Sequence, residues 1–291
     1  MSKRFLHLLE GAGAVAVYAL FRVLPLDAAS ALGGFLARAI GPRLGLSRRA
    51  LKNLRRAMPE LGEEATRRVI VDMWDNLGRV IAEYPHLGQY RIYADEGRIE
   101  IVGAEHIRAQ NAPGKRAIFF SGHFGNWEVP TMALTQAGLS VLEMYRAANN
   151  PFVDRLINHA RSVVGSELAA KGGAGARRML AAMKSDRHIA LLVDQKQNDG
   201  IAVPFFGREA MTGPALATFA LRFDSAVVPV RVDRLKGARF RITAEPPLPY
   251  AKTGDADADT LMLMKQVNEV LERWIRERPD HWFWLHRRWP D

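Results

Sequence analysis

Short apolar segments and amphipathic segments alternate along most of this chain, and this alternation constrains the fold more than any other feature. Between residues 99 and 244, strand-like segments are followed by segments whose apolar residues recur every three or four positions. One strand-like segment, residues 189–193, is nearly continuous in apolar residues, as expected for a strand covered on both faces. The pattern predicts a layered α/β fold with a central, largely parallel sheet.

The same pattern places the elements along the chain. Strands are predicted at residues 99–102, 117–121, 139–144, 189–193, 226–232 and 239–244. Helices are predicted at residues 65–84, 104–110, 126–136, 151–164, 175–184, 214–223 and 257–278. No internal repeat and no linker is recognisable after residue 60. We therefore expect two parts, an N-terminal helical segment at residues 1–60 and one domain at residues 61–291.

The N-terminal segment is apolar but interrupted by charges. Residues 11–21 carry no charge, and Arg22 ends that run, whereas a spanning helix needs about 20 apolar residues. Arg22 and Asp27 also interrupt the apolar region that a cleaved signal peptide would need. Residues 5–40 could form a marginal span with Lys3 and Arg4 on the cytoplasmic side, interfacial helices, or a cap on a soluble core. We expect membrane contact, with the helices lying in the interface.

The charge balance indicates an acidic partner. The chain has 41 Lys and Arg against 31 Asp and Glu, a net charge of +10. Seven of the basic residues lie between Arg38 and Arg56 with no acidic residue among them, which beside an apolar segment predicts contact with anionic membrane lipid. A solvated helix face is the alternative. The run contains no aromatic residue for base stacking, so we expect no nucleic-acid partner.

Several common sites are excluded by the sequence. The chain has no cysteine, which rules out disulfides, a thiolate nucleophile and cysteine zinc sites. Residues 112–115 lack the glycine spacing of a P-loop, and the Gly-rich residues 171–177 do not follow a predicted strand. No serine lies in a G-x-S-x-G elbow, and no histidine pair has metal-ligand spacing. We therefore expect neither a cofactor nor a metal. The aromatic C-terminus, residues 282–289, is expected to be core, with its arginines outside, rather than an RNA platform.

One histidine stands in a setting that favours catalysis. Residues 119–128 contain the end of a predicted strand, a turn flanked by Gly122 and Gly125, and the start of a helix. Ligands of open α/β sheets lie at the carboxyl ends of strands, where His123 is placed. We expect Glu128, in the first helical turn, to orient His123 so that the imidazole removes a proton from a hydroxyl. The free N–H groups at the helix start could hold an oxyanion. A histidine and an acidic residue at this spacing are common by chance, so the prediction of a catalytic role depends on the surrounding strand, turn and helix.

Several separated motifs resemble one family. Residues 122–128, Gly-His-Phe-Gly-Asn-Trp-Glu, resemble the histidine motif of the lysophospholipid acyltransferase superfamily, in the form found in lipid A biosynthesis late acyltransferases, the lauroyl and myristoyl transferases. Ala147 stands where that family usually has a proline. Further stretches that resemble the family, in order, are residues 144–151, 192–195, 203–207, 210–215, 228–229 and 279–289.

The resemblance implies an activity and its partners. The donor would be an acyl thioester on acyl carrier protein, and the acceptor a hydroxyl of a lipid A precursor of the Kdo2-lipid IVA type. His123 would take the hydroxyl proton and Glu128 would orient His123, without a cofactor or metal. Residues 61–291 would be the acyltransferase domain, acting at the cytoplasmic face of a Gram-negative inner membrane. The alternatives are the same chemistry on another glycolipid, such as a phosphatidylinositol mannoside, and a non-catalytic membrane scaffold.

Five further residues are predicted to bind substrate. Arg146 follows a predicted strand, where it could bind phosphate through two hydrogen bonds or form a surface ion pair. Asp194 and Gln195 follow another strand at the same sheet edge, and Asp194 could hold Arg146, hold a substrate hydroxyl or cap a turn. Thr212 could cap a helix or donate to phosphate. Asn126 completes the predicted set.

Two aromatic residues are predicted to border the acyl chain. Phe205 and Phe206 lie in one of the motifs above, and plain core packing is the alternative. The sequence leaves open the length of the acyl chain, the acceptor hydroxyl, the choice between acyl carrier protein and acyl-CoA as donor, and the oligomeric state.

Overall fold

The computed structural model describes residues 2–95 and 97–290, apart from the side chain of Lys3. Met1 and Asp291, the outer ends of the two predicted parts, lie outside the described residues. The helices are α1 (Lys3–Val23), α2 (Leu26–Ile40), α3 (Gly45–Ala57), α4 (Glu63–Glu83), α5 (Ala104–Arg108), α6 (Val129–Gln136), α7 (Pro151–Arg161), α8 (Gly173–Lys184), α9 (Ala215–Phe223) and α10 (Ala256–Glu277). The strands are β1 (Ile99–Val102), β2 (Ala117–Ser121), β3 (Val141–Tyr145), β4 (Glu167–Ala170), β5 (His188–Leu192), β6 (Lys196–Phe205), β7 (Arg208–Thr212), β8 (Ala226–Arg234) and β9 (Phe240–Ala244).

A seven-stranded sheet forms the centre of the molecule, in the order β1-β9-β8-β2-β5-β3-β4. The five neighbours from β8 to β4 are parallel. At the other end β9 runs antiparallel to β8, and β1 pairs parallel with β9. The predicted α/β class with a largely parallel sheet is confirmed. The carboxyl ends of β2, β5 and β3 lie side by side at one edge, where a binding site is expected.

Three strands were not predicted from the sequence. The short strand β4 is an edge strand with half of its residues exposed, so it lacks an apolar pattern. Strands β6 and β7 form a separate antiparallel hairpin. The first half of β6 is Lys-Gln-Asn-Asp-Gly, a composition typical of a loop, and its pairing has an irregularity between Lys196 and Ile201. Tertiary pairing, and not local preference, makes these segments strands.

The helices before residue 60 attach to the domain in different ways. Helix α2 packs closely on α4, since a Cβ on Gly33 would lie 2.4 Å from the Gly78 carbonyl oxygen. Helix α3 holds the C-terminal segment, because the Asn53 side-chain amide donates to the carbonyl oxygens of Trp284 and His286 at 2.9 and 2.7 Å. These contacts make α2 and α3 part of the packed molecule. The division at residue 60 stays a prediction.

Helix α1 is different, because most of its apolar surface is exposed. It touches α7 through Asn150, whose side-chain amide donates to His7 O and Glu10 Oε2, both at 2.9 Å. The stretch Arg4–Val23 is 20 residues long with a mean hydropathy of 1.4, and only 11% of its apolar window is buried. Its length and composition are those of a membrane-spanning helix, and a helix capping a soluble core would be buried. The interfacial prediction and the spanning alternative both remain compatible with α1.

Candidate active site

The turn after β2 places His123 at the carboxyl edge of the sheet. Strand β2 ends at Ser121, and the chain crosses the edge before α6 begins at Val129. Gly125 has a φ of +47°, and a Cβ there would lie 2.9 Å from the Val232 carbonyl oxygen. Only glycine meets both conditions without strain. The predicted strand, glycine turn and helix are therefore present, with α6 beginning one residue after Glu128.

The C-terminal segment clamps this turn. The Gly125 N–H donates to the His281 carbonyl oxygen, and the Phe283 N–H donates to the His123 carbonyl oxygen, both at 3.2 Å. Trp282 is fully buried between these two bonds. The tryptophans of the aromatic C-terminus are core, as predicted, but Arg288, which was expected outside the core, is fully buried as well. The contact of this segment with the turn was not predicted, because residues so far apart in the chain leave no local signal.

Asp194 fixes the His123 ring. Its Oδ1 lies 2.8 Å from His123 Nδ1, while its Oδ2 accepts from the His123 backbone N–H at 2.9 Å and from Trp282 Nε1 at 2.8 Å. Burial alone would raise the pKa of this fully buried carboxyl, but the imidazole and the N–H donors hold it well below its usual range. An ionised Asp194 needs a proton on Nδ1, which leaves the lone pair of His123 on Nε2.

Glu128 does not orient His123, contrary to the sequence-based expectation. It is fully buried, and its oxygens accept from Arg161 Nε at 2.8 Å, from Arg161 Nη2 at 2.5 Å and from the Tyr84 hydroxyl at 2.6 Å. Glu128 precedes α6, so its side chain turns inward to α7 instead of folding back over the turn. The orienting carboxylate of His123 is Asp194, for which sequence reasoning proposed other partners.

The start of α6 offers few free N–H groups for an oxyanion. The N–H groups of His123, Phe124 and Gly125 bind Asp194, the Gly122 carbonyl and the His281 carbonyl. Those of Glu128 and Val129 bind the side chain and the carbonyl of Asn126. The donors predicted for an oxyanion are thus largely used within the turn.

Two of the predicted substrate-binding residues lie in the interior. Asn126 is fully buried and donates to Glu83 Oε2 at 2.8 Å. Thr212 is fully buried at the end of β7, where its hydroxyl donates to the Ala210 carbonyl and accepts from Arg288 Nη2 at 2.8 Å. The residue that caps α9 is Pro214, so Thr212 fills neither predicted role. Both side chains therefore stabilise the fold through hydrogen bonds in the interior.

The two phenylalanines predicted to border the acyl chain also lie in the core. Phe205 is fully buried and stacks on Trp289 with ring centroids 5.5 Å apart, and its edge meets Trp282 at 5.9 Å. Phe206 is 6% exposed and packs against Trp284 and Trp289. Both residues therefore match the alternative prediction of core packing, because the β6–β7 hairpin folds onto the aromatic C-terminus.

A polar cavity of about 320 Å³ opens in front of His123. Arg146 and Lys171 are exposed on its wall, and within residues 2–95 and 97–290 Arg146 has no ion pair. The part of the chain that the structure describes therefore does not contain the surface ion pair considered as the alternative for Arg146. The cavity also reaches Arg161, the partner of Glu128, and Glu143 on β3. Burial and the charge of Glu128 raise the pKa of Glu143 to about 7.

Gln195 and His286 complete the polar wall. Gln195 Nε2 lies 3.1 Å from His123 Nε2 and 3.5 Å from His286 Nε2. The two imidazole rings meet edge to face with centroids 5.0 Å apart. Burial, and then the charge that His123 can take up, lower the pKa of His286 to about 3, so His286 is neutral. Sequence reasoning did not select His286, because the C-terminal segment reaches the cavity through the bridge between Phe124 and Trp282, a contact between distant parts of the chain.

The arrangement also gathers potential metal ligands. One donor atom each from His123, Asp194 and His286 lies within 4.8 Å of the others. However, the two oxygens of Asp194 already accept three N–H donors. These hydrogen bonds account for the positions of the Asp194 and His123 side chains.

A second, apolar cavity of about 360 Å³ is lined in part by Trp127. It is lined by α1 (Ala14 and Val17), α4 (Ile81) and α7 (Leu156). The Trp127 ring is 5.2 Å from that of His123. An apolar groove formed partly by α1 therefore ends close to the polar cavity.

Comparisons with known proteins agree with the motifs. A family model for bacterial lipid A biosynthesis acyltransferases matches residues 1–291. The lipid A biosynthesis myristoyltransferase of Escherichia coli (strain K12) is 25% identical over 248 residues, 84% of this chain and 75% of that protein. The lipid A biosynthesis lauroyltransferase of the same strain is 26% identical over 248 residues, 81% of this chain and 76% of that protein. Lipid A biosynthesis acyltransferase 1 of Shigella flexneri is 25% identical over 248 residues, 84% of this chain and 75% of that protein.

Proposed function

The chain belongs to the bacterial lipid A biosynthesis acyltransferase family, and we propose that it moves a fatty acyl chain from acyl carrier protein to a hydroxyl of a lipid A precursor of the Kdo2-lipid IVA type. One observation supports this proposal most strongly. The Nδ1 of His123 is held by the buried Asp194, so that Nε2 presents its lone pair at the polar cavity. This is the arrangement of a general base for a hydroxyl.

The proposed reaction is a direct transfer. His123 Nε2 takes the proton of the acceptor hydroxyl while the hydroxyl oxygen attacks the thioester carbonyl carbon. The carbon–sulfur bond then breaks, and the imidazolium gives its proton to the leaving thiolate. Asp194 stabilises the imidazolium between these two transfers, and a base of this kind contributes about 10²- to 10⁴-fold to the rate. The absence of cysteine and of a serine elbow fits a route without an acyl-enzyme.

The basic wall suits an anionic acceptor. Arg146 and Lys171 border the cavity in front of His123, and Arg146 has no carboxylate partner among the described residues. A guanidinium binds phosphate through two parallel hydrogen bonds. Glu128 has a structural role in this proposal, since it holds Arg161, which also borders the cavity.

The apolar groove and helix α1 suit lipid substrates. The groove beside Trp127 could take an acyl chain, and it is lined partly by the helix whose length and composition fit a membrane. We place the protein at the cytoplasmic face of the inner membrane. There an acidic soluble donor and an amphiphilic acceptor could meet, and the net charge of +10 would assist both encounters.

A transfer assay by mass spectrometry tests the proposal. The protein in detergent receives acyl carrier proteins with chains of about 10 to 18 carbons, together with tetra-acylated lipid A precursor. We expect one added acyl group with the wild type and a rate about a thousandfold lower with folded His123→Ala. Transfer that persists in His123→Ala would overturn the role of the histidine. If no glycolipid hydroxyl is acylated by folded protein, the scaffold alternative replaces the enzyme.

A further inference from the structure

Gln195 occupies the position that the acceptor hydroxyl must take. Its Nε2 lies 3.1 Å from His123 Nε2, and Nδ1 of His123 is already the donor to Asp194. His123 Nε2 therefore has no proton and can only accept a hydrogen bond, which the Gln195 amide donates. A hydroxyl that gives its proton to His123 has to come within about 2.6–3.2 Å of the same nitrogen. The amide and the hydroxyl thus compete for one lone pair.

We propose that Gln195 guards His123 against water: its amide covers the lone pair in the resting enzyme and moves toward His286 when the acceptor hydroxyl arrives. This inference rests on the proposed role of His123 as the base. It names two positioning residues, Gln195 and His286, that decide between transfer to the acceptor and transfer to water.

His286 is suited to receive the displaced amide. Its Nε2 lies 3.5 Å from Gln195 Nε2, so the amide already stands between the two rings. The ring is neutral, as stated above, so one of its nitrogens can accept. The backbone of His286 is held by Asn53, whose amide donates to its carbonyl oxygen at 2.7 Å, and its ring packs on Phe283 with centroids 4.7 Å apart. A fixed acceptor therefore lies beside the Gln195 amide.

A guard is needed because the cavity is polar and open. A space of about 320 Å³ lined by charged groups holds water readily. With an uncovered lone pair, His123 would take a proton from water, and the water oxygen would attack the thioester carbonyl carbon. The carbon–sulfur bond would break and the thiolate would take up the proton, which releases a free fatty acid and wastes the donor. A hydrogen bond to Gln195 removes this route until a better placed hydroxyl displaces it.

The test measures hydrolysis without acceptor. Gln195→Met keeps the length of the side chain and removes its N–H groups. Wild type and variant are given acyl carrier protein thioester alone, and thiol release is followed with a thiol reagent. The enzyme has no cysteine, so the donor supplies every thiol. We expect hydrolysis to rise at least tenfold in Gln195→Met and to return to background in Gln195→Met with His123→Ala.

A matched control exists elsewhere in the chain. Gln89 Nε2 lies 2.9 Å from His86 Nδ1, a glutamine–histidine contact of similar length outside the polar cavity. Gln89→Met should leave hydrolysis at the wild-type rate. A rise in both variants would indicate general loosening and would overturn the guard.

The second position gives a different signature. His286→Phe keeps an aromatic ring and removes the acceptor for the displaced amide. We expect KM for the acceptor to rise about tenfold, with kcat changed less and hydrolysis low. Unchanged hydrolysis in Gln195→Met, or an unchanged KM in His286→Phe, would overturn the proposed role of Gln195. The proposed role of His123 as the base would not be affected by either result. Transfer that survives His123→Ala would instead remove the proposed function itself.

Discussion

Two clusters on either side of the turn at residues 122–128 contain a fully buried carboxylate with three donors, yet they differ in what the carboxylate holds. In the open cluster, Asp194 holds His123, whose second nitrogen faces a cavity. In the closed cluster, Glu128 holds Arg161 and Tyr84. An imidazole exchanges a proton near neutral pH, whereas a guanidinium stays charged. Both carboxylates are buried with three donors, so it is the group bound by the carboxylate that decides whether the cluster can carry out chemistry or is a structural ion pair.

Replacing the carboxylate of the open cluster should have the largest effect on activity. Asp194→Asn keeps the size of the side chain but favours the proton on the wrong nitrogen of His123. We expect the transfer rate to fall about 10³- to 10⁴-fold with the melting temperature little changed, as for the orienting carboxylate of a catalytic triad. Transfer kinetics and a thermal melt on the same preparation provide the measurement. A variant that keeps a tenth of the activity would contradict the assignment.

The closed cluster should respond mainly in stability. Glu128→Ala leaves Arg161 buried and unpaired, and losing one partner of a buried pair costs about 3–5 kcal/mol. Urea unfolding measures the loss. Glu64→Ala is the control, because it breaks the exposed pair with Arg68, worth about 0.3–0.5 kcal/mol. Equal losses in the two variants would mean that the closed cluster is no more than a surface pair.

The sequence predicted the open cluster only in part, and the reason lies in the sheet. The strand, the glycine turn and the helix identified His123 from a continuous segment. Asp194 was placed at the correct edge, but its partner depends on β2 and β5 being neighbours, with Ser121 paired to Leu192. Strand order is a property of the whole fold, so the sequence could not show that the residues after these two ends touch.

The same limit explains the errors on Glu128 and His286. Glu128 was assigned to His123 because the two are close in sequence, whereas Arg161 reaches it from α7 through tertiary packing. His286 comes to the cavity on a segment that pairs with the turn through the bridge between Phe124 and Trp282. The spacing between a histidine and an acidic residue in the sequence gives no information on either of these tertiary contacts.

A smaller effect is expected at the rim of the open cluster. Arg146→Ala removes a charge that has no carboxylate partner among the described residues, so the fold should lose little. If the charge meets an anionic acceptor, KM should rise about tenfold, or about 1.4 kcal/mol, with kcat changed less. Raising the salt concentration should reduce the difference between wild type and variant. Steady-state kinetics at two salt concentrations measures both effects, and a fall in kcat alone would place Arg146 elsewhere in the mechanism.

A further effect should appear in the pH dependence of stability, through Glu143 at the boundary between the two clusters. Burial and the negative charge of Glu128 raise the pKa of Glu143 from its ordinary 4.5 to about 7. Between these two values the folded state holds a proton that the unfolded state has lost. The contribution of Glu143 to stability therefore falls as the pH rises from 4.5 to 7. Urea unfolding across this range should give a difference between wild type and Glu143→Gln that becomes less favourable to wild type as the pH rises.

Two variants test which cluster raises the pKa of Glu143 and so causes this pH dependence of stability. If the charge of Glu128 helps to raise the pKa of Glu143, Glu128→Gln should lower this pKa and shift the slope to lower pH. Asp194→Asn should leave it in place, since Asp194 is not among the groups that raise or lower the pKa of Glu143. A shift of equal size in both variants would show that the two clusters act on Glu143 as one electrostatic unit.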